Sequence, residues 1–228
     1  MRTIFIGDVH GCAAELEDLL TAVDYDQSQD RLLLTGDAFA RGPDPLGVWR
    51  IIGQTNAEMV LGNHDAGLLE RLESWAAGRE PKLKKPDQRH TWAQLDPAHN
   101  EILAWLQQVP LYIEDEAFLL VHAGIHPEKG LAGTSRDEFL AIRTWPPTKG
   151  IEGPRWHDHY QPTYPLLVFG HDAPGGLVVK KRNRHPYVLG LDTGCVHGNQ
   201  LTAYILEEDR LIQVPSRQKQ NEGLHRDT

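Results

Sequence analysis

Asp8 and His10, Asp37, Asn63 and His64, His122, and His171 each follow a short apolar run and stand beside or near a glycine that permits a tight turn. Their donors are carboxylate and carboxamide oxygens and neutral imidazole nitrogens, a set that suits a borderline divalent metal such as Mn, Fe, Co or Zn. No thiolate set accompanies them. Asp37 could bridge two ions about 3.5–4 Å apart, a pair that lowers the pKa of a shared water and braces phosphoryl oxygens during in-line displacement. Hydroxide, not a side chain, would then be the nucleophile. Taken singly, each motif is equally a turn whose polar residue hydrogen-bonds locally. Together they point to one site, because open α/β sheets collect ligands at the carboxyl ends of their strands.

The elements that must position these residues follow from the periodicity. Runs 3–6, 32–34 and 59–61 end in a glycine and a polar residue, as βα junctions do. Leu16, Leu19, Leu20 and Val23 recur at helical spacing after the first run, and Leu68, Leu69, Leu72 and Trp75 after the third. Pro43 and Pro45 open another helix through Trp49 and Ile52, since a first turn tolerates proline. Helices over a largely parallel sheet are expected for this half. Residues 78–90, basic and broken by prolines, read as an exposed excursion. A helix with Ile102, Leu103 and Leu106 follows, then a hairpin of 111–113 and 118–121 around Glu114, Asp115 and Glu116. Runs 166–169, 177–179, 187–191, 201–206 and 211–214 give the second half a more antiparallel character. The fold class expected is α/β, with sheet on sheet and helices outside.

The chain has 228 residues and a formal charge of −9, which repels nucleic-acid backbones, so general nucleic-acid binding is not expected. Its 40% hydrophobic and 24% charged content suits a packed core with a wet surface. Two cysteines, Cys12 and Cys195, are too few for a disulfide framework and are expected to be small buried residues in a reducing, cytoplasmic setting. No apolar stretch approaches the roughly 18 residues of a membrane span, so no membrane association is expected. Residues 1–214 are expected to form a single domain and 215–228, with Leu224 as their one large aliphatic residue, a mobile tail.

GDVHG at 7–11, GDAFARG at 36–42, GNHD at 62–65, VHAG at 121–124 and FGHD at 169–172 together resemble the calcineurin-like metallophosphoesterases. Within that superfamily LLLTGDAFARGP, MVLGNHDAGLL, VHAGIHP and LDTGCVHGNQLTA are most similar to the bacterial symmetrical diadenosine tetraphosphatases and the related small bacterial serine/threonine protein phosphatases. The resemblance runs from Met1 to about Ile205, although 124–169 is shorter than the corresponding region of those enzymes. It implies a four-layer sandwich of two mixed β-sheets flanked by helices, holding two divalent ions, manganese first, with cobalt, iron, zinc or magnesium as alternatives. It implies a small anionic phosphoester substrate, a dinucleoside polyphosphate split into two ADP or alternatively a phosphoprotein.

By motif, the resemblance gives Asp8, His10 and Asp37 to one ion and Asp37, Asn63, His122 and His171 to the other. It makes His64 the group assisting leaving-group departure, with a pKa range suited to an acid near neutrality, and Arg41 the phosphate-holding arginine. Arg143 in FLAIRTW is a second clamp, with Arg155 in GPRWH as its rival. Many members carry aspartate where this chain has Ala40, and the tetraphosphatase type resembles this chain in having alanine. Structural readings stand beside these roles. Arg41 could pair near Asp44, and Asp65 could cap a helix or orient a ligand. Asp192 could orient a histidine or stabilise the Gly194 turn. Trp145 and Trp156, in the proline-rich segment 144–165, could stack on a base or fill a satellite core. The basic run 180–185 reads as a solvated hairpin connection.

Overall fold

The structure is a computed structural model that describes residues 1–148 and 151–219. The first sheet holds β1 (Arg2–Ile6), β2 (Asp30–Leu34), β3 (Glu58–Met59), β9 (Gln200–Ile205) and β10 (Arg210–Pro215), in the order β10-β9-β1-β2-β3. β1, β2 and β3 are parallel, as the βα punctuation predicts, while β9 and β10 add an antiparallel edge from the far end of the chain. The second sheet has the order β4 (Tyr112–Glu114), β5 (Leu119–Val121), β6 (Leu167–Phe169), β8 (His185–Gly190), β7 (Val178–Arg182). Its centre is parallel, because β5 pairs β6 and β6 pairs β8 in that sense, and only its edges are antiparallel. The second half is thus more antiparallel than the first, as expected, with β4·β5, β7·β8 and β9·β10 antiparallel, and the parallel centre β5-β6-β8 is the feature that strand periodicity does not reveal.

Period-two alternation assigns the layers. On β1, Ile4 and Ile6 join the core under the helices, whereas Phe5 joins a second core between the sheets; on β2, Leu32 and Leu34 part from Leu33 in the same way. On β5 and β6, Leu120 and Val168 face that middle core, and Leu119, Val121, Leu167 and Phe169 face a third core on the outer side. The helices α1 (Ala13–Ala22), α2 (Pro45–Thr55), α3 (Asn63–Ala76), α4 (Pro86–Leu95) and α5 (His99–Leu106) cover the first sheet. Two short helices, α6 (Arg136–Ala141) and α7 (Trp156–His159), contribute Phe139 and Trp156 to the outer core of the second. Two mixed sheets flanked by helices are thus the observed architecture.

Local chemistry explains the helix starts. Asp44 caps α2 by accepting from the Gly47 amide at 2.8 Å, and Pro45 occupies the first turn, where no donor is needed. Asp44 is therefore engaged with its own helix rather than with Arg41. Pro86 likewise opens α4 instead of breaking the chain, so the excursion expected over 78–90 ends at the helix and is shorter than predicted. Most of the basic run 180–185 lies within β7 and β8. Only Asn183 and Arg184, at φ 52° and 72°, form the connection, which suits a two-residue hairpin matched to strand twist. Of the tail expected over 215–228, Pro215 ends β10, and Ser216, Arg217 and Gln218 hydrogen-bond to Asn199, Glu15 and Asp18. Residues 220–228 lie outside the described residues.

Candidate metal centre

Each candidate ligand sits on a loop leaving the carboxyl end of a parallel strand: β1 for Asp8 and His10, β2 for Asp37, β3 for Asn63, β5 for His122 and β6 for His171. The loops are locked to one another by the backbone. The His10 amide donates to the Asp37 carbonyl at 2.9 Å and the Gly11 amide to the Ala38 carbonyl at 2.7 Å. His10, Asp37, Arg41 and His171 all have positive φ, at 48°, 53°, 71° and 68°. Non-glycine residues in that region cost on the order of 1–3 kcal/mol each and persist where surrounding structure over-determines them. Two glycines permit the close approach: a Cβ at Gly62 would strike the Asp37 carboxylate, and one at Gly170 would strike Asp8 and Thr35.

Two groups of side chains here could hold a metal ion, Asp8 with His10 and Asp37, and Asp37 with His122 and His171, the ligand atoms of each lying within 4.8 Å of one another. Asp37 is common to both. Its Oδ2 stands 3.7 Å from His10 Nε2 and 3.7 Å from His122 Nε2. Asn63 Oδ1 lies 3.1 Å from His122 Nε2 and 3.0 Å from His171 Nδ1, which joins the carboxamide to the second group. Asp8 is oriented by the Thr35 hydroxyl at 2.7 Å and by the His171 amide at 3.0 Å.

The protonation states fit a cation. Burial holds His10 and His171 well below the usual imidazole range and pushes His122 down to about 4, so all three are neutral near neutral pH. His122 Nδ1 lies 2.8 Å from the Thr35 carbonyl, an acceptor only, so Nδ1 carries the proton and Nε2 presents a lone pair. That lone pair faces Asn63 Oδ1 and the Asp37 carboxylate. His10 Nδ1 is buried without a hydrogen-bond partner among the described residues. Burial also raises Asp37 and Asp65 to about 7 and Asp192 to about 6, and lifts Asp8 well above the carboxylate range with added repulsion from Asp192 and Asp37. Acceptors turned toward acceptors, and buried acids crowded together, are stabilised by divalent charge.

The other expected site residues fall into two classes. His64, Arg41 and Arg143 border the ligands. The His64 ring meets that of His10 edge-on at 5.2 Å, and its amide donates to Asp37 Oδ1 at 2.8 Å. Burial, with Arg41 nearby, pushes His64 down to about 3, so the free protein holds it neutral. Ala40 supplies no carboxylate to raise it. Arg41 and Arg143 both lie close enough to hold the Asp37 carboxyl down against the effect of burial. Arg143 donates to the His171 carbonyl at 3.3 Å, whereas Arg155 pairs with Asp172 at 2.8 Å and donates to the Ile151 carbonyl. Asp65 lies in the first turn of α3 and accepts from the Ala38 amide at 3.1 Å, bracing the Asp37 loop. Asp192 accepts from the Gly194 amide at 3.0 Å, stabilising that turn.

The two tryptophans belong to cores. Trp156 is 1% exposed, donates to the Ala123 carbonyl at 3.1 Å and packs edge-on against Phe169, so no ring face is open to a base. The base-stacking expectation fails for it because a satellite core needs its large apolar surface. Trp145 lies over His126 at 4.4 Å and donates to Glu128 at 3.3 Å. Cys12 and Cys195 are buried, as expected, and with Glu15 form a separate buried group. Three further residues escaped the sequence reading. Thr35 orients both Asp8 and His122, Asp172 lies between Arg143 and Arg155, and His197 stands 3.4 Å from Arg41. Thr35 directly precedes GDAFARG, Asp172 ends FGHD and His197 lies inside LDTGCVHGNQLTA, so the motifs carried a signal for each, although only tertiary structure brings His197 to Arg41.

Comparison with known proteins agrees with this geometry. The symmetrical bis(5'-nucleosyl)-tetraphosphatase of Edwardsiella ictaluri is 31% identical over 280 aligned residues, covering 95% of this chain and 97% of the relative. The enzyme of the same name from Janthinobacterium sp. is 32% identical over 287, covering 98% and 99%. Both alignments exceed the 228 residues of this chain, which therefore lacks segments those relatives carry. A crystal structure of a candidate diadenosine tetraphosphatase superposes with a TM-score of 0.78 at 32% identity, over 94% of this chain and 93% of that one. The family model of calcineurin-like phosphoesterases matches residues 1–214, the span that carries every motif loop. With that match and these two ligand groups sharing one aspartate, the chain belongs to the calcineurin-like phosphoesterase family and is a metal-dependent phosphohydrolase.

Proposed function

We propose that this enzyme splits diadenosine tetraphosphate symmetrically, adding water across a central P–O–P linkage to release two molecules of ADP. Asp8, His10 and Asp37 would hold one divalent ion, and Asp37, Asn63, His122 and His171 the other, manganese being the first choice for this oxygen and nitrogen set. When bound, such a pair supplies Lewis acidity toward phosphoryl oxygens and makes water acidic enough to attack. The observation that carries the reading is Asp37 Oδ2 placed 3.7 Å from an imidazole nitrogen of each group.

The chain's own residues do the rest. Arg41 and Arg143 would pair with the phosphoryl oxygens and orient the chain in line with the attacking water. His64 would hold a proton at the departing bridge oxygen. Because burial keeps it neutral in the free protein, the charge of an arriving polyphosphate must raise its pKa before it can act as an acid. Asp65 and Thr35 keep the ligand loops in place through the Ala38 amide and the Asp8 carboxylate. Ala40 and the similarity to tetraphosphatases favour the dinucleotide over a phosphoprotein. Buried thiols at Cys12 and Cys195 suit a reducing cytoplasm. No helix among the described residues is long and apolar enough to cross a membrane.

The test offers protein loaded separately with manganese, cobalt and magnesium both diadenosine tetraphosphate and a phosphoserine peptide, with products resolved by chromatography. ADP as the sole nucleotide product, at much higher kcat/KM than peptide dephosphorylation, supports the reading. Preference for the peptide overturns it.

A further inference from the structure

A recess opens between α3 and α4 directly beside the ligands, with Asn63 and His64 on its rim. Its empty volume, open solvent included, is about 500 Å³. Trp92, half-buried, supplies an aromatic wall, and Asp87, Gln88 and Thr91 supply polar atoms from one face of α4. Two features are unexplained by folding. Thr91 is 5% exposed, and its hydroxyl is buried with no hydrogen-bond partner among the described residues, a state that costs about 1–3 kcal/mol. Gly67 lies inside α3, where glycine costs about 1 kcal/mol relative to alanine, yet a Cβ there would meet only the end of the Arg71 side chain at 3.4 Å. The helix would accommodate a side chain, but the recess would lose space.

We infer that this recess receives the nucleobase of the departing nucleotide, seated against Trp92 with its polar edge toward Thr91, Gln88 and Asp87. The inference rests on the substrate class proposed above and extends it to a binding subsite. A nucleobase has apolar faces and an edge of donors and acceptors, which matches an aromatic wall combined with hydroxyl, carboxamide and carboxylate groups. A lipid tail would leave the Thr91 hydroxyl buried and unpaired, and a lone phosphate would find only Arg71 as a cation in the recess. Position sets the polarity of binding. His64 stands at the start of α3 and Arg71 two turns later, about 10 Å along the axis at 1.5 Å per residue. The oxygen that His64 protonates belongs to the departing ADP, whose remaining phosphate and nucleoside extend along α3 to the recess. A half-buried Arg71, with Arg79, Lys82 and Lys84 lining the adjoining groove against Glu70 and Glu80, leaves a surplus of positive charge beside that path.

Calorimetric titration of the manganese-loaded protein with ADP and, separately, pyrophosphate reads the base contribution directly. Gly67→Leu should weaken ADP binding by about tenfold or more while pyrophosphate binding changes by less than about twofold, because only the base loses its space. Thr91→Val, nearly isosteric, should weaken ADP by about threefold to tenfold in the same selective way. Both variants are first checked for unchanged melting behaviour, and the two together guard against misfolding of either. ADP affinity unchanged in both, or ADP and pyrophosphate weakened alike, overturns the recess as a base site. The substrate reading fails separately: wild-type protein that binds ADP selectively but leaves diadenosine tetraphosphate intact would discard the proposed substrate and keep the subsite.

Discussion

The two sheets furnish the site in different ways. Loops from the first sheet deliver Asp8, His10, Asp37 and Asn63 within a few residues of their strands, on strained backbone that crosses between loops by hydrogen bonds. The second sheet delivers His122 and His171 similarly, but its arginines come from the segment between β5 and β6, which contains little regular structure. The Arg143 and Arg155 side chains are held by Asp172 and by backbone carbonyls, with Arg155 also capping the short helix α7. The contrast separates two physical tasks. Metal ligands need fixed positions and are held by short loops that cannot relax; phosphate contacts act at longer range and tolerate a less regular support.

Breaking the shared ligand tests that contrast most severely. Asp37→Asn should lose bound metal and activity together, with turnover falling by about 10³-fold or more, since several kcal/mol of charge stabilisation is worth about a decade per 1.4 kcal/mol. Metal titration is the check, and two ions bound with wild-type affinity would refute the bridge. His64→Ala separates chemistry from the framework: turnover should fall by about 10²–10³-fold while metal occupancy stays near that of the wild type. Its loss should be smaller for p-nitrophenyl phosphate, a good leaving group, than for an alkyl phosphate; equal losses would remove the acid role.

The second sheet's side of the comparison is sharpened by its two arginines. Arg143→Ala should reduce kcat/KM by about tenfold to a hundredfold, as expected for a lost charge-assisted contact, and Arg155→Ala by less than about threefold. A larger effect at Arg155 would reverse the assignment. The smallest effect concerns protons. Asp37 and Asp65 sit at about 7 and Asp192 at about 6 without metal, while His10, His122 and His171 are already neutral. A cation favours the ionised carboxylates, so metal affinity should rise with pH up to about 7 and then level off. Calorimetry in buffers of different ionisation enthalpy should detect proton release at pH 6 that largely vanishes at pH 8. Release that persists at pH 8 would place the titrating group elsewhere.

Much of the ligand set was legible because strand, glycine and polar residue recur as a unit. An apolar run ending in GD or GH states both the strand and the residue exposed at its end. The segment 144–165 was not legible in that way. Its aromatic residues carry no period, and nothing local distinguishes Trp156 filling a core from a ring awaiting a ligand. The parallel pairing of β5, β6 and β8 was hidden for a related reason: β5 and β6 have three residues each, too little pattern to report their neighbours.

Residue types and spacing alone therefore determined the donors, the α/β layering and the family resemblance, because these are written within a few positions of each strand end. Tertiary structure decided what depends on distance and solvent. It set the 3.7 Å approaches to Asp37, the neutral state of His64, the Arg143 contact with the His171 carbonyl and the recess beside Thr91. Burial and long-range packing fix those quantities, and neither is a property of a residue's neighbours in the chain.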